Sequence, residues 1–145
     1  VHRLLVLFFL LSACSFSAIK DKNYGSVVVD EVTSIYDGDT FRANIKNWPA
    51  VVGERVPVRI SGIDTPELKA RCDREKTLAR KAKQHTVAML RAGKRIEIRS
   101  IKRDKYFRLL GDVYVDDKNL GASLVKAGLA VPYEGGTKKN WCRTF

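Results

Sequence analysis

The chain lacks the features that mark several common protein classes. Three cysteines and two histidines in 145 residues, in no paired ligand spacing, argue against a zinc site. Four prolines and ten glycines exclude a collagen-like or low-complexity chain. The uninterrupted apolar run Leu4–Leu11 is far short of the roughly 20 residues that a membrane-spanning helix needs. Acids are scarce beside bases, with 16 Asp and Glu against 27 Lys and Arg, a net charge of +11. That excess calls for an anionic partner: nucleic acid, a membrane surface or an acidic polymer. With 45% hydrophobic and 30% charged residues, the chain suits one globular domain, without an internal repeat or a dividing linker.

Residues 1–19 read as a leader and short tether, and residues 20–145 as the folded domain. His2 and Arg3 precede the apolar run, the order found in a secretory signal peptide. Leu11-Ser12-Ala13-Cys14 resembles a bacterial lipobox, with cleavage before Cys14 and a lipid on that cysteine. The alternative is an ordinary leader cut among Ser15, Ser17 and Ala18. Both predict export, to the cell envelope on a lipid anchor or to the periplasm or medium without one. Membrane association is then expected only through the N-terminal lipid. Either way Cys72 and Cys142 remain. In an exported protein one disulfide between them is expected, with two partly buried thiols as the alternative. Closing a loop of about 70 residues stabilises by roughly 4 kcal/mol in the chain-entropy view.

Beyond the leader, apolar patterning predicts strands over residues 26–35, 40–45 and 55–63. Asp73 is the expected N-cap of a helix ending near Gly93, with Leu78, Ala82, Thr86 and Met89 on its inner face and His85 at an edge. Residues 95–99 alternate as a half-buried strand, and residues 109–115 form another. Asn119 caps a short helix containing Leu120, Leu124 and Val125, stopped by Gly128. Five short strands interrupted by helices predict an α+β fold, a small closed barrel with one long and one short helix packed on it.

Three short segments carry chemistry. Asp37-Gly38-Asp39-Thr40 is a tight turn, which alone would signify only a hairpin. Arg59 through Asp64-Thr65-Pro66-Glu67 follows a strand, and Pro66 ends it. Asp104-Lys105-Tyr106-Phe107-Arg108 leads into the next strand. Asp39, Asp64 and a backbone carbonyl would suit a hard cation such as calcium or magnesium. Two arginines have the fork geometry to grip a phosphodiester. A carboxylate left free could take a proton from water, so the set suggests metal-assisted phosphodiester hydrolysis.

In these three motifs, taken in order, residues 26–133 resemble the staphylococcal nuclease-like (thermonuclease) family. The resemblance implies a five-stranded OB-fold barrel and calcium-dependent cleavage of DNA and RNA to 3′-phosphate ends. It assigns Ca2+ to Asp39, Asp64 and the Thr65 carbonyl, and the general-base or water-orienting role to Glu67. It gives Arg59 and Arg108 the phosphate and the transition state, Lys105 and Tyr106 the terminal phosphate or nucleotide, and Tyr133 a base. Simple barrel packing of the two tyrosines and a solvated Lys105 are the plainer alternatives.

Three departures from the family pattern stand out. Asn47-Trp48-Pro49 lengthens the segment between Thr40 and Arg59, and is expected to extend a hairpin tip. Phe107 stands where the family has glycine, which should exclude a positive-φ backbone and present Arg108 differently, although still active. The 12 residues after Tyr133 are too few for the family's C-terminal helix, and the Cys72–Cys142 bridge would pin that stretch near the long helix.

An exported nuclease acting as a monomer on DNA and RNA is therefore expected. A non-catalytic nucleic-acid-binding OB-fold lipoprotein would need positive charge but not clustered carboxylates, which repel phosphate unless a cation lies between them. A basic structural or adhesive envelope lipoprotein would leave the three motifs as coincidence. Cleavage before Cys14 leaves 26 basic residues against 16 acidic ones, or +10, on the folded domain. Thiol titration of the unfolded, unreduced mature protein should find no free thiol at Cys72 or Cys142. Two reactive thiols would exclude the bridge.

Overall fold

The structure, a computed structural model, describes residues 23–143; the expected leader and Cys14 lie outside the described residues. In chain order the elements are β1 (Val27–Ile35), β2 (Thr40–Ile45), α1 (Ala50–Gly53), β3 (Val56–Ile60), β4 (Ile63–Asp64), α2 (Asp73–Ala92), β5 (Ile96–Arg103), β6 (Leu109–Val115), β7 (Lys118–Asn119), α3 (Leu120–Lys126) and β8 (Val131–Pro132).

Five of these strands close a barrel. β1 pairs antiparallel with β2 and β5, β2 with β3, and β5 with β6, while β3 and β6 close the ring in parallel. Strand alternation sends Phe41, Val58 and Leu109 inward, and the register places Phe41 opposite Val58 and Val58 opposite Leu109. Ile98 faces Val113 on the other side, and all five side chains are fully buried. Register shifts in β1 and in β5, the latter between Arg99 and Lys102 beside Ser100 at φ 54°, bend these strands around the barrel. The result is the α+β closed barrel that the strand pattern predicted, with the OB-type architecture that the family resemblance implied.

Local details differ from the sequence reading. The insertion around Trp48 lies at the tip of the β2–β3 hairpin, as expected, but takes the form of a helix: Pro49 starts the one-turn α1, a third helix, which turns back at the buried Gly53. A Cβ at Gly53 would lie 2.7 Å from that of Trp48, so the turn needs glycine for closeness. The third strand stops at Ile60, because Gly62 at φ 70° turns the chain into β4, which pairs with β8. Cys72 rather than Asp73 is the N-cap of α2, its Sγ accepting the Glu75 N–H. The inner face of α2 is Glu75, Ala79, Ala82, Thr86 and Leu90, with Leu78 and Met89 only half-buried. His85 sits at the edge, within 2.8 Å of Ser123 Oγ. Asn119 caps α3 by accepting the Ala122 N–H, and Gly128 follows its end at φ 70°. Residues 134–143 contain no helix.

The small residues of α2 allow close approach to the Asp37–Asp39 turn. Thr86 Oγ1 donates 2.6 Å to the Gly38 carbonyl, and a Cβ at Gly38 would lie 2.8 Å from Ala82 Cβ and 2.9 Å from Thr65 Cγ2. Gly38→Ala should therefore cost about 1–3 kcal/mol by overpacking. Unchanged midpoints in a denaturant titration would refute this packing account.

Candidate active site

The motif residues converge at one end of the barrel, on a cleft of about 910 Å³. Three local devices bring them there. The β1–β2 turn is held by Asp37 Oδ1, which accepts the Asp39 N–H at 3.1 Å, and by the Ile60 N–H donating to the Asp39 carbonyl at 2.9 Å. β3 alternates Val58 and Ile60 into the core and so turns Arg59 outward. The β5–β6 loop wraps around Asp104, whose Oδ1 accepts the N–H groups of Tyr106 and Arg108 at 2.9 and 3.0 Å.

Arg59 lies between two buried carboxylates. Its Nη1 meets Asp39 Oδ2, and its Nη2 donates to the Ile63 carbonyl at 3.2 Å while lying 3.4 Å from Asp64 Oδ1. Asp39 Oδ2 also accepts from Thr65 N–H and Oγ1, at 3.1 and 2.9 Å, and Oδ1 accepts from Thr40 Oγ1. Burial draws the Arg59 guanidinium below its ordinary value, against the pull of Asp64 and Asp37, yet arginine stays charged. Burial likewise lifts the Asp37 carboxyl, opposed by Arg59.

Asp64 is 1% exposed, and its Oδ2 has no hydrogen-bond partner. A buried carboxylate oxygen left without a donor is costly unless a cation faces it. Asp39 and the Thr65 carbonyl would complete an all-oxygen donor set with it, the kind that fits a hard divalent ion. Glu67 is half-exposed and lines the cleft with Arg59, Arg108, Lys105, Tyr106 and Tyr133; Asp64 and Thr65 are buried. Tyr106 is exposed and does not pack in the barrel, with Lys105 Nζ 5.1 Å and Arg108 Cζ 5.3 Å from its ring centre. Tyr133 is half-buried; its hydroxyl donates to the Gly136 carbonyl.

Phe107 corrects an expectation. It adopts φ 66°, the conformation its bulk was expected to exclude. The surrounding bonds hold it there: its N–H donates to the Asp104 carbonyl and its carbonyl accepts from Arg103 Nη1. Its exposed ring lies 4.5 Å from the Arg103 guanidinium. Arg108 is thus presented into the cleft with phenylalanine in place of glycine, its Nε donating to Asp104 Oδ2 at 2.7 Å.

The sequence reading missed two residues. Glu75, buried in the first turn of α2, accepts the Glu67 N–H on Oε1 and the Arg71 N–H on Oε2, and so fixes the loop carrying Glu67. Glu75 stands three residues after the Cys72 cap, a spacing that gains meaning only once Cys72 rather than Asp73 is the cap. Lys138 Nζ lies 2.6 Å from Glu67 Oε1 and 3.0 Å from Asp64 Oδ1. Burial works to lower its pKa, but the two carboxylates outweigh that and hold it above 10.5. No local pattern marks Lys138; only folding brings it there. Cys72 and Cys142 form a disulfide, with Cα atoms 5.9 Å apart.

Burial pushes the Asp104 carboxyl up, but its bonds from Arg108 and Tyr106 outweigh this and hold it below 3.8. A depressed folded value means that its stabilisation is complete above the unfolded value and lost as pH falls through the folded one. Asp104→Ala should cost about 1–3 kcal/mol. Its destabilisation relative to the parent should shrink in acid melts below pH 3.8; a constant difference down to full protonation would argue against the assignment.

A model of the staphylococcal nuclease homologue family matches residues 57–142. The chain is 34% identical over 122 residues to Endonuclease YncB of Bacillus subtilis, covering 81% of this chain and 55% of that protein. It is 33% identical over 133 residues to an "uncharacterized endonuclease" of Haemophilus influenzae, covering 90% and 62%. A probable endonuclease, lcl3, of Pyrenophora tritici-repentis is 31% identical over 129 residues, covering 74% and 47%. The chain thus spans about half to three-fifths of the length of these relatives. With the matched segment running from β3 to the disulfide-bonded Cys142, the chain belongs to the staphylococcal nuclease homologue family.

Proposed function

We propose that this protein is an exported, calcium-dependent nuclease that hydrolyses phosphodiester bonds of DNA and RNA to 3′-phosphate ends. One observation carries the reading: the buried Asp64 carboxylate, with one oxygen unpartnered, lies beside Arg59 beneath a cleft lined by Glu67 and Arg108. Asp39, Asp64 and the Thr65 carbonyl would hold the ion. When bound, a hard divalent ion supplies positive charge that offsets phosphate and polarises its oxygens.

The chain's own groups have separable tasks. Glu67, half-exposed at the cleft, takes a proton from the attacking water or orients it. Arg59 and Arg108 grip the phosphate and stabilise charge developing on its oxygens. Tyr106, exposed between Lys105 and Arg108, offers a ring face and neighbouring cations to a nucleotide. Tyr133 stands across the cleft for a base. The +11 charge favours a polyanion generally, and the leader-like pattern of residues 1–19 supports a location in the envelope, on a Cys14 lipid, or beyond it.

A non-catalytic nucleic-acid-binding OB-fold lipoprotein is less well supported, because its binding surface would gain nothing from Asp39, Asp64 and Glu67. Plasmid and RNA incubated with the mature protein should be cut in calcium and spared with chelator. Intact substrates at generous enzyme and calcium would refute catalysis, and salt-sensitive retention without cutting would favour the binding module. Glu67→Gln and Arg108→Ala should each lower kcat by about 10²–10⁴-fold with the fold preserved. Near-normal turnover would remove that residue from the mechanism. Arg59→Ala should in addition lower stability by about 3–5 kcal/mol, since it leaves buried Asp39 without its cation and Asp64 with Lys138 alone.

A further inference from the structure

After β8 no helix follows among the described residues. Gly135 and Gly136, at φ 102° and 86°, turn it back across the mouth of the cleft, and Tyr133 closes the turn through its hydroxyl on the Gly136 carbonyl. Lys138 then reaches Asp64 and Glu67, the residues read above as a metal ligand and the base. Three residues further on, Trp141 is buried, and Cys142 is bonded to Cys72 at the N-cap of α2. One turn into α2, Glu75 holds the Glu67 backbone. The bridge therefore ties Lys138 and the loop of its partner Glu67 to one anchor, which lowers the entropy lost in bringing them together.

Buried Asp64 lies 3.4 Å from Arg59, which it shares with Asp39, and meets Lys138 more closely, at 3.0 Å; Lys138 is the one cation that reaches both Asp64 and Glu67 among the described ion pairs. An ammonium and a divalent ion on the same carboxylate repel each other, the more strongly in a part-buried site. We propose that Lys138 is a strap-borne internal cation that neutralises Asp64 and Glu67 before a divalent ion arrives, competes with that ion for Asp64, and is displaced when it binds. The inference rests on the reading of Asp64 as a metal ligand. It adds to that site an element of this chain's own tail, which sets how tightly the ion is held.

The test is calorimetric titration of calcium into chelator-treated, disulfide-intact protein, with thermal melts of the metal-free forms. Lys138→Met should bind calcium at least about tenfold more tightly than the parent, because the competing charge is gone. Lys138→Arg, which keeps the charge, should stay near the parent value. Metal-free Lys138→Met should melt below the parent, and saturating calcium should shrink the gap. Parental or weaker calcium affinity in Lys138→Met overturns the competition. A lower melting point together with no calcium binding by either protein would instead refute the metal reading of Asp64, and competition with it, while leaving the ion pair intact.

Discussion

The parallel pairing of β3 with β6 is the constraint on which the rest of the molecule depends. It converts a curled sheet into a closed barrel by setting Val58 against Leu109 in the core. The same register sets Arg59 beside Leu110, so the residues next to the core pair emerge together at the barrel end. Arg108, in the loop immediately before β6, enters the cleft beside Arg59 from β3. Side chains alternate at period two along a strand, so a slip of one residue would bury these arginines and expose their apolar neighbours. Core packing thus specifies the active-site register.

Charge accounts for the next layer. Asp37, Asp39 and Asp64 are buried at the mouth of a barrel whose interior is apolar, and each buried carboxylate needs a donor or a cation. Arg59 serves two of them at once, while Thr65 and Thr40 complete Asp39. Fold stability and the geometry of the candidate site are in this way carried by the same contacts. The unpartnered oxygen of Asp64 is the exception, and it is the place where a cation would stabilise most.

One strained residue lies in the same neighbourhood. Phe107 sits at positive φ because Asp104 gathers the loop on both carboxylate oxygens and its own carbonyl, so the backbone has no cheaper arrangement that keeps these bonds. The glycine that would relieve the strain is dispensable once the loop is held this firmly. At Gly38 and Gly53 the need is for space rather than φ, since a Cβ at either meets packed atoms under 3 Å away.

Much of this was legible in the chain. Strand alternation, the Asn119 cap and the pairing of turn residues with carboxylates are local signals, encoded within a few residues of where they act. Resemblance to a known family then supplied what spacing could not, the grouping of three distant motifs into one site. Local rules failed where a neighbour in space outweighed a neighbour in sequence. Cys72 displaced Asp73 as cap, Phe107 took a conformation its own side chain opposes, and the insertion at Trp48 formed a helical turn at the hairpin tip. Glu75 and Lys138 reach Glu67 across eight and 71 residues of chain. The sequence by itself determined which elements form and which groups are available for chemistry, because propensity, periodicity and charge are local properties. Tertiary structure alone decided which charges face each other, because barrel closure and a disulfide spanning 70 residues set those distances.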